Sequence, residues 1–304
     1  MPSREDTGSV SPSPSLAEPN ADTTLTVICG SGPLPAAIAD AAIRRGRSVF
    51  LIAIEGWADA GAVARYPHAW IKLGQFGRAW RLARAAGSRD IVCIGGLVRP
   101  AIGSLRLDWE TIRLLPRLYR LFRGGDDHLL SGLGRIFAER GFRMVAAQDV
   151  APDILAPAGV LTRREPTQRE ADDIAFGFAL LDAMGPFDVG QALVVAARRV
   201  LAVEAAEGTD QMLQRIGALR ANGRIALPAG QGVLVKAPKP QQDRRYDLPS
   251  IGPKTVEMVV AAGLAGIAVR AGGVIAVDPL AMTAAADKAG IFIASINVAS
   301  AGSP

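Results

Sequence analysis

A chain of 304 residues, 49% of them hydrophobic, is long and apolar enough to bury a sizeable core, which excludes a disordered protein. Two cysteines without a CxxC exclude a disulfide framework and fit a reducing cytosol, and two histidines are too few for a histidine-rich metal site. The net charge of +5 is unevenly spread, with twelve Lys/Arg against three Asp/Glu between Arg65 and Arg123, a bias that serves nucleic acid, an anionic membrane or a phosphate-bearing substrate equally well.

The first 24 residues are rich in Ser, Pro, Asp and Glu and lack an apolar stretch, so they read as a solvated tail rather than a signal peptide. No later run is long and apolar enough to predict a membrane-spanning helix. The apolar run 25–29 predicts a buried strand closed by Gly30-Ser31-Gly32, with a helix over 35–45. A second strand is expected over 49–54, ended by Glu55-Gly56, then a helix over 76–86 and a third strand over 90–94, closed by Gly95-Gly96. Cys29 and Cys93 fall inside these runs and read as small buried hydrophobes. This βαβαβ alternation predicts a parallel, Rossmann-like sheet with covering helices. Helices follow over 109–122 and 129–140, with a further strand over 144–147.

The stretch 151–168 carries Pro152, Pro157 and Pro166 with little periodicity, and is expected to link two α/β domains, 25–150 and 169–304. The second domain is expected to be mixed α/β. It reads as a helix over 169–183, strands over 192–196 and 199–203, a helix over 210–219, a strand over 232–236, a loop over 237–251, a helix over 253–262 and strands over 266–269, 274–277 and 292–296.

Several segments can carry chemistry. Gly30-Ser31-Gly32-Pro33-Leu34-Pro35 joins a strand to a helix, a place where backbone N–H groups meet phosphate, but Pro35 stands where a dinucleotide fingerprint needs glycine and Pro33 removes a donor. Arg113, Arg117, Arg120 and Arg123 recur at helical spacing beside Leu114, Leu115, Leu118, Leu121 and Phe122, the pattern of a helix lying on an anionic bilayer or of a surface helix with its leucines in the core; Pro116 interrupts it. Asp126 and Asp127 precede a helix, where they can cap it, hold a cation or bind ribose hydroxyls. Glu204, Glu207 and Asp210 lie three apart around Gly208 and Thr209; such carboxylates repel unless a cation neutralises them, while Thr209 or Asp210 can equally cap the helix that follows.

The richest stretch runs from Lys236 to Pro253, at the carboxyl end of a strand, where open α/β sheets bind ligands. Lys236, Lys239, Arg244 and Arg245 supply charge for a diphosphate, Asp243 and Asp247 can hold a metal or orient a water, and Gly252-Pro253 opens a helix whose dipole favours an anion.

In this order and spacing the chain resembles a known family: the UDP-2,3-diacylglucosamine pyrophosphatases of alpha-proteobacteria and other Gram-negative lineages (the LpxI type), distinct from the calcineurin-like enzymes that perform the same step. Carrying the resemblance are Gly30-Ser31-Gly32-Pro33-Leu34-Pro35, Glu55-Gly56 with Ala58-Asp59, Gly95-Gly96-Leu97-Val98-Arg99-Pro100, and Gly125-Asp126-Asp127-His128-Leu129-Leu130. Further on they are Val203-Glu204-Ala205 with Glu207-Gly208-Thr209-Asp210, Lys239-Pro240 with Gln242-Asp243, and Asp247-Leu248-Pro249 with Ile251-Gly252. The chain departs from the family pattern at Gln241, where glycine is usual, and at Ala197-Arg198-Arg199, where the family is turn-like and glycine-containing.

The resemblance implies an N-terminal Rossmann-like domain and a C-terminal mixed α/β domain with substrate between them, Mg²⁺ dependence (Mn²⁺ as a substitute), and hydrolysis to UMP and 2,3-diacylglucosamine 1-phosphate. On that basis carboxylates among Asp210, Asp243 and Asp247 are expected to hold the metal and orient the attacking water. Gly30, Gly32, Asp126, Asp127, Thr209, Lys239, Gln242, Arg244 and Arg245 are expected to bind substrate. A two-chain glycolipid also calls for an apolar groove, for which the small-residue runs 261–266 and 284–286 are candidates. The basic segment near Arg117 would dock on the cytoplasmic leaflet of the inner membrane, and a homodimer is expected as the commonest oligomer. Rival readings are a nucleotide-sugar-binding protein without catalysis and a metal-dependent pyrophosphatase of other nucleotides. A nucleic-acid module is a third, disfavoured because the chain is aromatic-poor and carries no reading motif.

Overall fold

A computed structural model describes residues 24–97, 106–122, 126–240, 243–245 and 248–297. The N-terminal part runs β1 (Thr24–Cys29), α1 (Leu34–Arg44), β2 (Val49–Ile54), α2 (Ala60–Val63), β3 (His68–Ile71), α3 (Phe76–Ala85), β4 (Ser88–Ile94), α4 (Trp109–Phe122), α5 (Asp126–Glu139), β5 (Arg143–Met144) and α6 (Ala147–Val150). Its five strands form one parallel sheet in the order β3-β2-β1-β4-β5. Both faces are covered, as a parallel sheet requires. Successive residues along β2 therefore go to opposite cores: Leu51 and Ala53 pack with α1 and α6, while Ile52 and Ile54 pack with α3, α4 and α5.

The C-terminal part runs β6 (Gly159–Val160), α7 (Gln168–Met184), β7 (Ala192–Ala196), β8 (Arg199–Val203), α8 (Gly208–Ala221), β9 (Val233–Lys236), β10 (Ser250–Ile251), α9 (Pro253–Ala261), β11 (Gly266–Arg270), β12 (Ile275–Ala276), α10 (Pro279–Ala289) and β13 (Phe292–Ile296). Its mixed sheet has the order β6-β13-β11-β9-β7-β8, parallel through β13, β11 and β9 and antiparallel at both flanks. The pleat again sorts side chains to two cores: α7 covers Leu193, Val195, Val233 and Val235 on one face, while α8, α9 and α10 cover Val194, Leu234, Ile267 and Ile293 on the other. α7 opens with a capping box in which the Thr167 hydroxyl accepts from Glu170 N–H and the Glu170 carboxylate accepts from Thr167 N–H.

The fold class expected from the sequence is the one observed, with local differences that include the short helix α2 and the strand β10, which pairs with β12 where a loop was expected. The short edge strand β3 adds to the first sheet, the strand expected over 144–147 shrinks to β5 because Ala147 starts α6, and α10 fills the stretch before β13. Within the proline-rich stretch 151–168, β6 joins the second sheet as an edge strand on β13. Of the small residues expected to line an acyl groove, Ala262 and Ala286 are buried in the core between α9 and α10, while Ala261 and Ala284 are exposed.

The departure at Ala197-Arg198 has a clear structural basis. The two residues link β7 to β8 with φ of 51° and 57°, both in the left-handed region that a type I′ hairpin turn demands. Buried Asp173 holds the turn, its carboxylate accepting from Ala197 N–H at 2.9 Å and Arg198 N–H at 2.5 Å. An L residue in that region costs about 1–2 kcal/mol, and glycine returns part of this as unfolded-state entropy. Ala197→Gly is therefore expected to stabilise the fold by about 0.5–1 kcal/mol in denaturant titration; a destabilised variant would mean that the turn is unstrained.

Candidate functional site

Three elements meet at the carboxyl end of β9. Lys236, the last residue of that strand, donates from Nζ to Thr209 Oγ1 at 3.0 Å and to the carbonyl of Ser250 at 3.1 Å. Thr209 sits in the first turn of α8, and Ser250 two residues before Gly252, the N-cap of α9. A lysine is thus flanked by two helix N-termini, whose partial positive charge adds to its own. The Thr209 hydroxyl donates in turn to Glu204 Oε1 at 2.9 Å, and the other oxygen of Glu204 accepts from Gln191 N–H at 3.0 Å. The chain around Gln191 can come this close only because its predecessor is glycine: a Cβ on Gly190 would lie 2.2 Å from the carbonyl oxygen of Glu204.

Asp210, next in the α8 first turn, pairs with Lys254 Nζ of α9 at 2.5 Å, which ties the two helix starts together. The acids Glu204, Glu207 and Asp210 do not act as one cluster. Glu207 pairs with Arg215 at 2.8 Å, so each of the three carboxylates has its own partner. Neither Thr209 nor Asp210 caps α8, whose N-cap is Glu207.

The loop after β9 reaches from this cluster toward the N-terminal domain. Lys239 donates to the Asp188 carboxylate and to the Asp188 carbonyl at 3.3 Å, with Asp188 itself at φ 54°. Asp243 is half-buried and holds Arg245 through Nε at 2.9 Å and Nη2 at 2.6 Å. These hydrogen bonds keep the Asp243 carboxyl below the usual carboxylate range, so it is ionised at neutral pH. The carbonyl of Arg244 accepts from Gln148 Nε2 of α6 at 3.2 Å. Leu248, where the loop returns, packs with Val277 and Ile275 on the N-terminal core. The loop therefore lies at the junction of the two domains. Asp247 and Gln242 fall outside the described residues, as does Gln241; Asp126 and Asp127 open α5, but their side chains are not among those described.

On the N-terminal side, Gly30 and Gly95 end adjacent strands at the point where strand order reverses, the usual binding crevice of such sheets. Their backbones are in contact, since a Cβ on Gly30 would lie 2.7 Å from the Gly95 carbonyl oxygen. Gly30 N–H donates to Ile94 and Ser31 N–H to Gly96, so those two donors are spent within the protein. Gly32 is exposed at φ 90°, and the space beneath the turn, bounded by Pro35, Asp59 and Val63, is about 10 Å³, room for one water. A phosphate at this turn must lie outside it, on the Gly32 side.

From the sequence, Lys236, Thr209 and Asp210 were recognisable as residues at strand and helix ends. Lys254, Gln191 and Asp188 were not: none stands in a patterned motif, and each is brought in by the fold.

The matches to known proteins agree with this division. Residues 24–154 match the family model of the LpxI N-terminal domain and residues 157–294 that of the LpxI C-terminal domain. The chain is also 38% identical over 274 residues to the UDP-2,3-diacylglucosamine pyrophosphatase LpxI of Caulobacter vibrioides, covering 90% of this chain and 97% of that one. With both domains matched in order along nearly its whole described length, the chain belongs to the LpxI family.

Proposed function

We propose that this protein hydrolyses the diphosphate of UDP-2,3-diacylglucosamine to UMP and 2,3-diacylglucosamine 1-phosphate, in an Mg²⁺-dependent reaction at the cytoplasmic leaflet of the inner membrane. The observation that supports the reading is the convergence of Lys236 and two helix N-termini at the carboxyl end of β9, beside the loop that reaches the domain junction; the arrangement suits a diphosphate, in a chain so similar to a protein named for this activity.

Among the described residues no three Asp, Glu, His or Cys side chains come together as a metal cage. Magnesium does not need one, because it usually keeps several waters and takes one or two carboxylates plus substrate phosphate oxygens. Asp243 suits that demand: it is ionised, half-buried and at the domain junction. Asp243, with Asp247 and Asp210, would hold the ion; manganese fits the same oxygen ligands. Bound metal supplies charge neutralisation on the diphosphate and a lowered pKa for its water.

The chain's own residues position the substrate. Lys236, fixed by Thr209 and Ser250, offers a preorganised cation at the diphosphate, and Lys239, Arg244 and Arg245 close on the phosphates from the loop. One of the three aspartates orients the water for attack on the β-phosphorus, beside the sugar. Hydrolysis in ¹⁸O-labelled water tests this: label in the lipid phosphate is expected, and label in UMP would place the attack on the other phosphorus. Turnover of UDP-GlcNAc at a similar rate would favour a general nucleotide pyrophosphatase instead.

Lys236→Met is expected to lower kcat/KM by about 10²-fold, the cost of losing one preorganised donor to developing charge. Steady-state kinetics check this; unchanged kcat/KM would remove Lys236 from the site.

A further inference from the structure

α4 is apolar on both sides. The leucines that mark it in the sequence face inward: Leu114 and Leu118 are buried with Ile136 and Phe137, and Leu121 packs against the same cluster. Arg117 is committed to Glu139 of α5 through two 2.6 Å hydrogen bonds, and Arg123 lies outside the described residues. The leucine-lined face near Arg117 is therefore part of the fold, and it cannot be the face that docks. The opposite side carries a second apolar stripe, with Trp109 65% exposed, Tyr119 61%, Ile112 43% and Leu115 37%. At 100° per residue, Arg113 and Arg120 fall on this same outward face and neither Asp nor Glu does. Glu110, the helix's acid, lies to one side, nearer Arg140 at 3.1 Å than Arg113 at 3.7 Å. Arg113 lies over the Trp109 ring at 5.3 Å.

We propose that the outward face of α4 is the surface by which this protein lies on an anionic lipid bilayer. The inference rests on the glycolipid reading above, which puts the substrate in a membrane. An exposed stripe of Trp, Tyr, Ile and Leu edged by arginine is the composition that settles at the boundary of headgroups and acyl chains, the rings at the interface and the cations on lipid phosphates. Because the inner leucines anchor α4 to the domain, the helix presents this face as a rigid side-on ridge rather than inserting end-on.

A second copy of the chain fits the face less well. A two-fold contact would gather Arg113 and Arg120 of both copies, four like charges, into one patch, with Glu110 the one acid of the helix and already shared with Arg140. The face is also small, about 21 Å by 10 Å, against about 800 Å² per partner in a stable protein interface.

Sedimentation with vesicles tests the proposal, using phosphatidylcholine alone and equimolar phosphatidylcholine and phosphatidylglycerol. The full chain is expected to pellet with the anionic vesicles, and less so at high salt. The double variant Arg113→Gln/Arg120→Gln is expected to bind about 30-fold more weakly. Trp109→Ser/Tyr119→Ser is expected to lose binding at any salt, and neither pair should change hydrolysis of a short-chain, water-dispersed substrate analogue. Wild-type binding by both variants would overturn the proposal, as would an oligomer in light scattering that either variant abolishes. The outcomes separate from those of the activity reading: turnover with α4-independent vesicle binding removes only the docking face, and α4-dependent binding without turnover removes only the activity.

Discussion

Asp243→Ala is expected to lower kcat by about 10²- to 10⁴-fold, the range for loss of a residue that orients a proton transfer or holds the group that does. The structure supplies the reason for choosing this carboxylate. It stands on the loop that leaves the carboxyl end of β9, at the junction of the two domains, and Arg245 keeps it ionised. An acid held in its charged form is a ready ligand for a cation, and it need not lose a proton before the reaction begins. Arg245, to which Asp243 is ion-paired, is half exposed, so stability should change by less than about 1 kcal/mol. Steady-state kinetics alongside thermal unfolding separate the two effects. Full activity would take Asp243 out of the mechanism; lost activity together with a lost fold would leave its role structural. Arg245→Ala is the necessary companion: if it matched Asp243→Ala, the aspartate would be acting only by holding the arginine.

The largest expected effect on stability lies far from that loop. Asp90 of β4 is 1% exposed and accepts from Arg47, itself 8% exposed, and from Arg143 at 2.8 and 2.9 Å. Burial alone would raise its pKa, but hydrogen bonds from Arg143 and Arg47 outweigh burial and hold the carboxyl below its ordinary value of 3.8. Asp90→Asn would remove the buried carboxylate charge that Arg47 and Arg143 share and is expected to cost about 3–5 kcal/mol in denaturant unfolding. The pH dependence follows in sign. Because the folded-state pKa is depressed, the contribution is fully present above about pH 4 and is lost as pH falls through the folded value. The variant should therefore show a shallower acid decline than the wild type below about pH 4. A cost under about 1 kcal/mol would mean that Arg47 finds water or another acceptor.

How much of this was legible beforehand depends on what each residue's pattern encodes. The strands β1, β2, β4, β7 and β9 are apolar runs bounded by glycine or charge, and they stand where expected because strands buried on both faces need little else. β3 escaped notice because His68-Ala69-Trp70-Ile71 is short and lies at a sheet edge with His68 exposed. α4 shows a different limit. Periodicity identifies apolar stripes but not which of two stripes meets the core, and in α4 both exist, so the face with Trp109 and Tyr119 could be assigned only after Leu114 and Leu118 were seen to be buried.

The site divides in the same way. Lys236 and Thr209 are legible because ends of strands and starts of helices are where α/β folds bind anions. The partners Lys254, Gln191 and Asp188 are not, since ion pairs between distant segments leave no local mark. Glu204, Glu207 and Asp210 looked like one acidic cluster because spacing alone cannot show that a strand-to-helix turn sends each side chain to a different donor.

The most direct measurement is hydrolysis of UDP-2,3-diacylglucosamine by the purified chain, first with Mg²⁺ and then with excess EDTA, beside UDP-GlcNAc. The predicted result is release of UMP from the acylated substrate alone, abolished by EDTA and restored by added Mg²⁺. Tight binding of the acylated substrate without turnover, or turnover that EDTA leaves untouched, would contradict it.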